Sequence, residues 1–213
     1  MPDSRRADAA APVKCRQCNR PLTQPVACDF CHALNPAAAG KDYFSLLGLP
    51  RQFDLDAEVL RAKFVALSRH AHPDFHSGES DEVKELSLQI SSTVNDAYRT
   101  LRDPANRAAY LLELLGGQSS ADDKSVPDGF LNTMMMLQEE IADAKAGGDQ
   151  AALDRLRQVL ATQRDGLLKR IAGLFADCRQ AVGCDAVRRQ LLGELRQQIN
   201  AVSYVRKLLS QVQ

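Results

Sequence analysis

Residues 67–74 read Leu67-Ser68-Arg69-His70-Ala71-His72-Pro73-Asp74, and the sequence on either side decides what they mean. Proline has no N–H and clashes with the preceding turn, so a helix entering this string stops at Pro73. Upstream, Val59, Leu60, Phe64 and Leu67 fall on one helical face, with Arg61, Lys63, Arg69 and His70 largely away from it. Asp54 or Asp56 is placed to cap that helix. Downstream, from about Asp81 to Arg102, apolar residues return at Val83, Leu86, Ile90, Val94, Ala97 and Leu101. Two antiparallel helices joined by a loop is the economical reading, and the loop carries His72, Pro73 and Asp74. A His-Pro-Asp triplet alone is a weak signal, since any helix can end at a proline with polar neighbours.

Working outward, Tyr43 to Leu49 reads as a short apolar helix stopped by Pro50. Pro104 opens another that runs through Tyr110 and Leu114 and closes at Gly116 and Gly117. The polar stretch 118–127 reads as a hinge between domains, and 128–213 reads as helix throughout. There Phe130, Met134, Leu137, Ile141 and Ala144 form a 4-3-4-3 stripe that ends at Gly147-Gly148. Leu153, Leu156, Leu160, Leu167, Ile171, Leu174 and Cys178 follow at near-heptad spacing, with Gln163 as a polar interruption. After a break at Gly183, Leu195, Ile199, Val202, Val205, Leu209 and Val212 do the same. The expected fold class is all-α: a helical hairpin domain over 41–117, a 118–127 linker, and a three-helix coiled-coil-like bundle over 128–213. A disordered N-terminus over 1–14 and a small cysteine module over 15–34, where a short hairpin can form, precede them.

Four of the six cysteines lie in that module as Cys15-x-x-Cys18 and Cys28-x-x-Cys31, separated by nine residues. Each pair presents two thiolates through a tight turn, and four sulfurs at about 2.3 Å around one ion make a closed structural zinc site. Two disulfides in a secreted domain are the alternative, and no signal peptide supports them. Either way so short a segment cannot bury enough apolar surface to fold unaided. His32 can substitute for a cysteine ligand but reads more simply as a neighbouring surface residue. Cys178 and Cys184 sit in or beside apolar helix positions and read as core or cap residues.

Composition narrows the class of function. With 27 basic and 27 acidic residues the net charge is zero, so no global field draws the chain to nucleic acid or an anionic membrane. No apolar run approaches the roughly 20 residues of a membrane helix. Met1 to Ala11 pairs Arg5 and Arg6 with Asp3 and Asp8, poor chemistry for a presequence. A bacterial cytoplasmic location is expected, with the mitochondrial matrix as the alternative. There is no phosphate loop, no His-Glu-x-x-His and no Gly-x-Ser-x-Gly elbow, and no nucleophile stands beside His72 and Asp74, so no enzyme is expected.

The order of features carries a family resemblance. A basic helix leads to His72-Pro73-Asp74; a second helix with Asn95-Asp96-Ala97-Tyr98-Arg99-Thr100-Leu101 follows, and then Asp103-Pro104 and Arg107. Across about 75 residues this resembles a J-domain. Asp42-Tyr43-Phe44-Ser45-Leu46-Leu47-Gly48-Leu49, Val94-Asn95-Asp96-Ala97-Tyr98 and Arg107-Ala108-Ala109-Tyr110-Leu111-Leu112 look like the HscB family of J-proteins, which serve iron–sulfur cluster biogenesis. The similarity continues into the helical C-terminus, and the paired-cysteine extension is found in eukaryotic and some bacterial members.

The resemblance implies a co-chaperone. Asp74 would engage an arginine of a DnaK/HscA-type chaperone, Pro73 would stiffen the turn, His72 would orient it, and Arg61, Lys63, Arg69 and His70 would steer the encounter. Each of those four cations reads equally well as part of a solvated face. The family's binding surface for the IscU-type cluster scaffold maps onto Leu131, Asn132, Met135, Met136, Glu139 and Asp143, with Leu191 from the last helix. Asn132 and Met136 differ from the apolar and acidic types expected there. The bland reading folds Leu131 and Met135 into a wide core stripe. The cysteine module is open between stabilising the fold, protecting against oxidation, self-association and regulating the J-domain. The rival readings are a zinc-bearing helical adaptor or a nucleic-acid binder, the latter weakened by a module whose cations are Lys14, Arg16 and Arg20 alone.

Overall fold

Aspartate side chains start four of the helices, each accepting a backbone N–H that the first turn leaves without an intrahelical partner. Asp42 takes Ser45 N–H, Asp56 takes Glu58 and Val59, Asp103 takes Asn106, and Asp149 takes Ala152. The computed structural model describes residues 14–181 and 184–212. The expectations of disorder over 1–14, apart from Lys14, and of a break at Gly183 fall outside those residues. Among the described residues seven α-helices appear: α1 (Tyr43–Leu46), α2 (Ala57–Ala71), α3 (Asp81–Arg102), α4 (Pro104–Leu114), α5 (Phe130–Ala146), α6 (Gln150–Gln180) and α7 (Asp185–Leu209). Two single antiparallel bridges, Lys14 with Pro21 and Ala27 with Leu34, are the extent of β pairing among those residues. The all-α expectation holds.

The chain forms two compact units. The first runs to Arg51 and resumes over Asp56–Arg102. Its core is the α2–α3 hairpin with α1 against α3, filled by Phe44, Leu46, Leu47, Leu60, Leu67, Ile90, Val94, Ala97 and Leu101. Phe64 stacks on Tyr98 at 4.1 Å between ring centroids. Val59 departs from expectation: it lies about 100° round α2 from the buried Leu60 and is 44% exposed.

The second unit takes Gln52–Leu55 and everything from Asp103 onward, so α4 groups with α5, α6 and α7. Phe53 stacks on Phe175 of α6 at 5.5 Å, and the buried Arg107 lays its guanidinium 5.2 Å from the Phe53 ring. Arg206 of α7 pairs with Asp103 at 3.1 Å. All five residues of the expected α5 stripe are buried, against Leu156, Leu160, Ala201, Val205, Leu208 and Val212. On α7 the core position is Leu208, with Leu209 only half-buried. The stretch 118–127 is loop, but it is fastened rather than free: Asn200 Nδ2 donates to the carbonyls of Asp123 (3.0 Å) and Ser125 (2.8 Å), and Arg196 reaches Gln118 O at 3.4 Å. No helix among the described residues is long and apolar enough to cross a membrane.

Candidate functional site

The helix–loop boundary at Pro73 would strand the last carbonyls of α2. Two side chains that sequence reading missed take them. Ser87 of α3, fully buried, donates its hydroxyl to Ala71 O at 2.9 Å, and His76, also buried, sets its Nε2 3.0 Å from His70 O, which fixes that nitrogen as the donor. Ser87 occupies a register position of the apolar α3 stripe, and a hydroxyl at a core position is the one sequence cue that points to it. Residues 73–76 then form a 3-10 turn that starts at His72, whose Nδ1 accepts the Asp74 N–H at 3.2 Å. That bond requires the neutral ring. The Phe75 N–H donates to His72 O at 3.0 Å and Ser77 Oγ to Asp74 O at 3.0 Å, so the turn is held at both ends.

From this base the Asp74 side chain projects 89% exposed, its carboxylate 3.6 Å from His72 Nδ1. Phe75 beside it is 73% exposed and meets the His72 ring edge-on at 6.3 Å. The basic residues of α2 divide between two flanks. At 3.6 residues per turn Arg61, Val65 and Arg69 share one exposed flank, whereas Lys63 and His70 lie half-buried on the other, across the core-facing stripe.

The four paired cysteines converge. Their sulfurs lie within 4.8 Å of one another, with Cys15 and Cys31 at 3.5 Å and Cys18 and Cys28 at 3.6 Å. A tetrahedron of sulfurs at about 2.3 Å from a central zinc has edges of about 3.8 Å, so the donor set fits the ion without rearrangement. All four are free thiols at separations far beyond a disulfide bond of about 2.05 Å. The module is built from two copies of one turn at a constant offset of 13 residues. In each, the first cysteine accepts the N–H of the residue after the second: Asn19 to Cys15 O and His32 to Cys28 O, both 2.9 Å. Asn19 and His32 take the same left-handed conformation, with φ of 60° and 59°.

Backbone N–H groups inside each turn point at the leading sulfur. Those of Cys18 and Gln17 lower the Cys15 thiol to about 6, and those of Cys31 and Phe30 lower Cys28. For Cys31 the Ala33 N–H acts in the same direction, but burial and the three neighbouring sulfurs outweigh it and push the thiol up to about 12. Four thiolates cannot share so small a space without a cation, and the chemistry of the set is that of a metal centre. His32 is exposed and stands outside the cluster.

On α5 the face opposite the core carries Leu131 (46% exposed), Met135 (61%) and Met136 (62%), with Asn132, Glu139 and Asp143 also exposed. The bundle therefore does not absorb Leu131 or Met135. Leu191 of α7 is half-buried.

Comparison with known proteins assigns the architecture. The sequence model of the DnaJ domain matches residues 42–110, and that of the HSCB C-terminal oligomerisation domain matches residues 126–213. A co-chaperone protein HscB homolog of Ralstonia nicotianae is 38% identical over 159 residues, which span 74% of this chain and 90% of that protein. The iron-sulfur cluster co-chaperone protein HscB of Mus musculus is 34% identical over 149 residues, 70% of this chain and 62% of that protein. Among solved structures, chaperone HscB from Vibrio cholerae superposes with a TM-score of 0.68 at 31% identity, covering 81% of this chain and 95% of the other. Human co-chaperone protein HscB gives 0.75 at 25% identity, covering 94% and 96%. Hairpin, turn, bundle and these likenesses agree: the chain belongs to the HscB family of J-domain co-chaperones.

Proposed function

We propose that this protein binds an IscU-type iron–sulfur scaffold through the outer face of α5, with Leu191 of α7 contributing, and delivers it to a DnaK/HscA-type chaperone. The His72-Pro73-Asp74 turn then stimulates that chaperone's ATPase. The observation that carries this reading is a carboxylate held out 89% exposed on a turn whose backbone is braced from beneath by His76 and Ser87. A rigid, unneutralised anion is what a cationic partner side chain reads at an interface, and truncating one member of such a pair costs about 2 to 5 kcal/mol. Arg61 and Arg69 on one flank of α2, with Lys63 and His70 on the other, steer the encounter with an acidic chaperone surface.

The α5 face supports the delivery step. Flexible thioethers suit an adaptable docking surface, and Leu131, Met135 and Met136 are exposed on a helix whose other side is fully committed to the core. Asn132, Glu139 and Asp143 supply the polar rim. Cys15, Cys18, Cys28 and Cys31 hold one structural zinc, which ties the two turns of the module together and takes no part in chemistry. The protein works in the bacterial cytoplasm.

The test is the chaperone's steady-state ATP hydrolysis with protein and scaffold alone and together. Stimulation that rises synergistically when both are present, and falls back to the protein-alone rate with Leu131→Arg/Met135→Arg, is the expected result. A double variant with full synergy overturns the scaffold assignment.

A further inference from the structure

The turn that presents Asp74 inverts the usual order of burial. At about three residues per turn, Pro73 and His76 eclipse each other on the inner side of the 73–76 turn, and the two residues between them point outward. His76 takes the inner place because its Nε2 serves His70 O at 3.0 Å, so an imidazole is buried and the phenyl of Phe75 is left in water. At 73% exposed, Phe75 stands further out than Met135 or Met136 on α5. Its position is fixed: the Phe75 N–H donates to His72 O at 3.0 Å, and the ring meets the His72 ring edge-on at 6.3 Å.

We infer that Phe75 is an apolar anchor for the chaperone engaged by Asp74, seated in an apolar depression beside the cation that reads the carboxylate. The inference rests on the reading of the turn given above. Two observations commit the phenyl to that partner. It follows Asp74 directly on the outer side of the same turn. Phe75 and Arg69 also line one cavity between the turn and the cysteine module, so the phenyl borders the carboxylate along the chain and Arg69 across the cavity. A surface that meets Asp74 and is steered by Arg69 covers Phe75 as well. An aromatic ring buries a large apolar area for the loss of two side-chain torsions, and a turn already held by hydrogen bonds needs no ordering when the partner arrives. The two residues then divide the work. The charge of Asp74 acts in the step that triggers hydrolysis, whereas Phe75 holds the partner equally before and during it, so loss of the phenyl weakens binding without lowering the rate of the bound complex.

The experiment measures stimulation of a DnaK/HscA-type chaperone's ATPase as a function of protein concentration, at low and high salt, for full-length wild type, Phe75→Ala, Phe75→Leu and Asp74→Asn. Exchange of the Asp74 amide, which bonds His72 Nδ1, reports on the turn in each protein. Phe75→Ala is expected to raise the half-maximal concentration about tenfold at an unchanged maximum, and Phe75→Leu, which keeps most of the apolar volume, to recover most of that loss. The shift is expected to persist at high salt, as apolar burial does and charge steering does not. Protection of the Asp74 amide is expected to be the same in wild type and both Phe75 variants. A half-maximal concentration for Phe75→Ala within about twofold of wild type, with Asp74→Asn still inactive, overturns this inference alone. So does a lowered maximum with faster Asp74 exchange, which makes Phe75 a prop for the turn instead of a contact. Full stimulation by Asp74→Asn overturns the reading beneath it.

Discussion

Removal of the proposed zinc should unfold the cysteine module and spare the helices. Residues 15–34 are 20 residues that bury Val26, Ala27, Cys15 and Cys28 and little else. Fixing that much backbone costs roughly 20 kcal/mol at about 1 kcal/mol per residue. Burial of a valine, an alanine and the thiol side chains returns about 5 kcal/mol. A structural zinc on four thiolates supplies about 10 to 16 kcal/mol, which brings the sum close to balance; without it the module is unstable by a margin no helix contact replaces. The assay is hydrogen exchange before and after chelation. The amides of Asn19 and His32, which close the two turns, should exchange at unprotected rates once the metal is gone, while the far-ultraviolet helix signal stays within a few percent. Continued protection of those amides in metal-free protein, or collapse of the helical signal, refutes the reasoning.

Asp42 caps α1 and pairs with Arg51 at 2.7 Å; burial raises its carboxyl, but Arg51 and the Ser45 contacts outweigh that and hold it at about 2, below the usual 3.8. A depressed carboxylate stabilises above its unfolded value and loses that contribution as pH falls through its folded one. Asp42→Ala should therefore cost about 1 to 2 kcal/mol at pH 7, discounted for the half-exposed Arg51, and the difference from wild type should shrink as pH falls through about 2 in urea titrations. Asn200→Asp turns a donor that serves two carbonyls into an acceptor facing both, so it should destabilise the second unit more than Asn200→Ala, itself worth about 1 to 3 kcal/mol, and should speed exchange over 119–126. Ser87→Ala should leave Ala71 O without its buried donor, costing about 1 to 3 kcal/mol in urea titrations.

Helix positions were legible because they are set locally. Asp81 to Arg102 is α3 to the residue, Pro104 starts α4, and every residue of the α5 stripe is buried, since apolar periodicity and aspartate caps act over one or two turns. What the sequence hides is decided by partners far along the chain. Val59 precedes Leu60 by one residue, which turns it about 100° away from the buried face of α2, and Leu208 is buried while Leu209 packs only partly buried against the same cluster. Arg196 and Asn200 are polar residues on a heptad helix, and are buried because loop carbonyls at 118–125 need donors. The 118–127 stretch has a hinge's composition for the same reason: its backbone partners stand more than 70 residues away. In the site, the cysteine spacing announced the four-sulfur cluster and Pro73 the turn. His76 and Ser87, which brace the turn, carry no motif, and the cavity between module and turn depends on a packing that no local pattern encodes.

The central claim is that the exposed Asp74 carboxylate triggers the chaperone. Single-turnover ATP hydrolysis by a DnaK/HscA-type chaperone, with wild type and Asp74→Asn compared without scaffold, tests it most directly. Asparagine keeps the shape of the side chain and the backbone bonds of the turn and removes only the charge. Strong stimulation by wild type and a basal rate with Asp74→Asn at unchanged stability are expected; equal stimulation by both proteins would remove the carboxylate from the trigger.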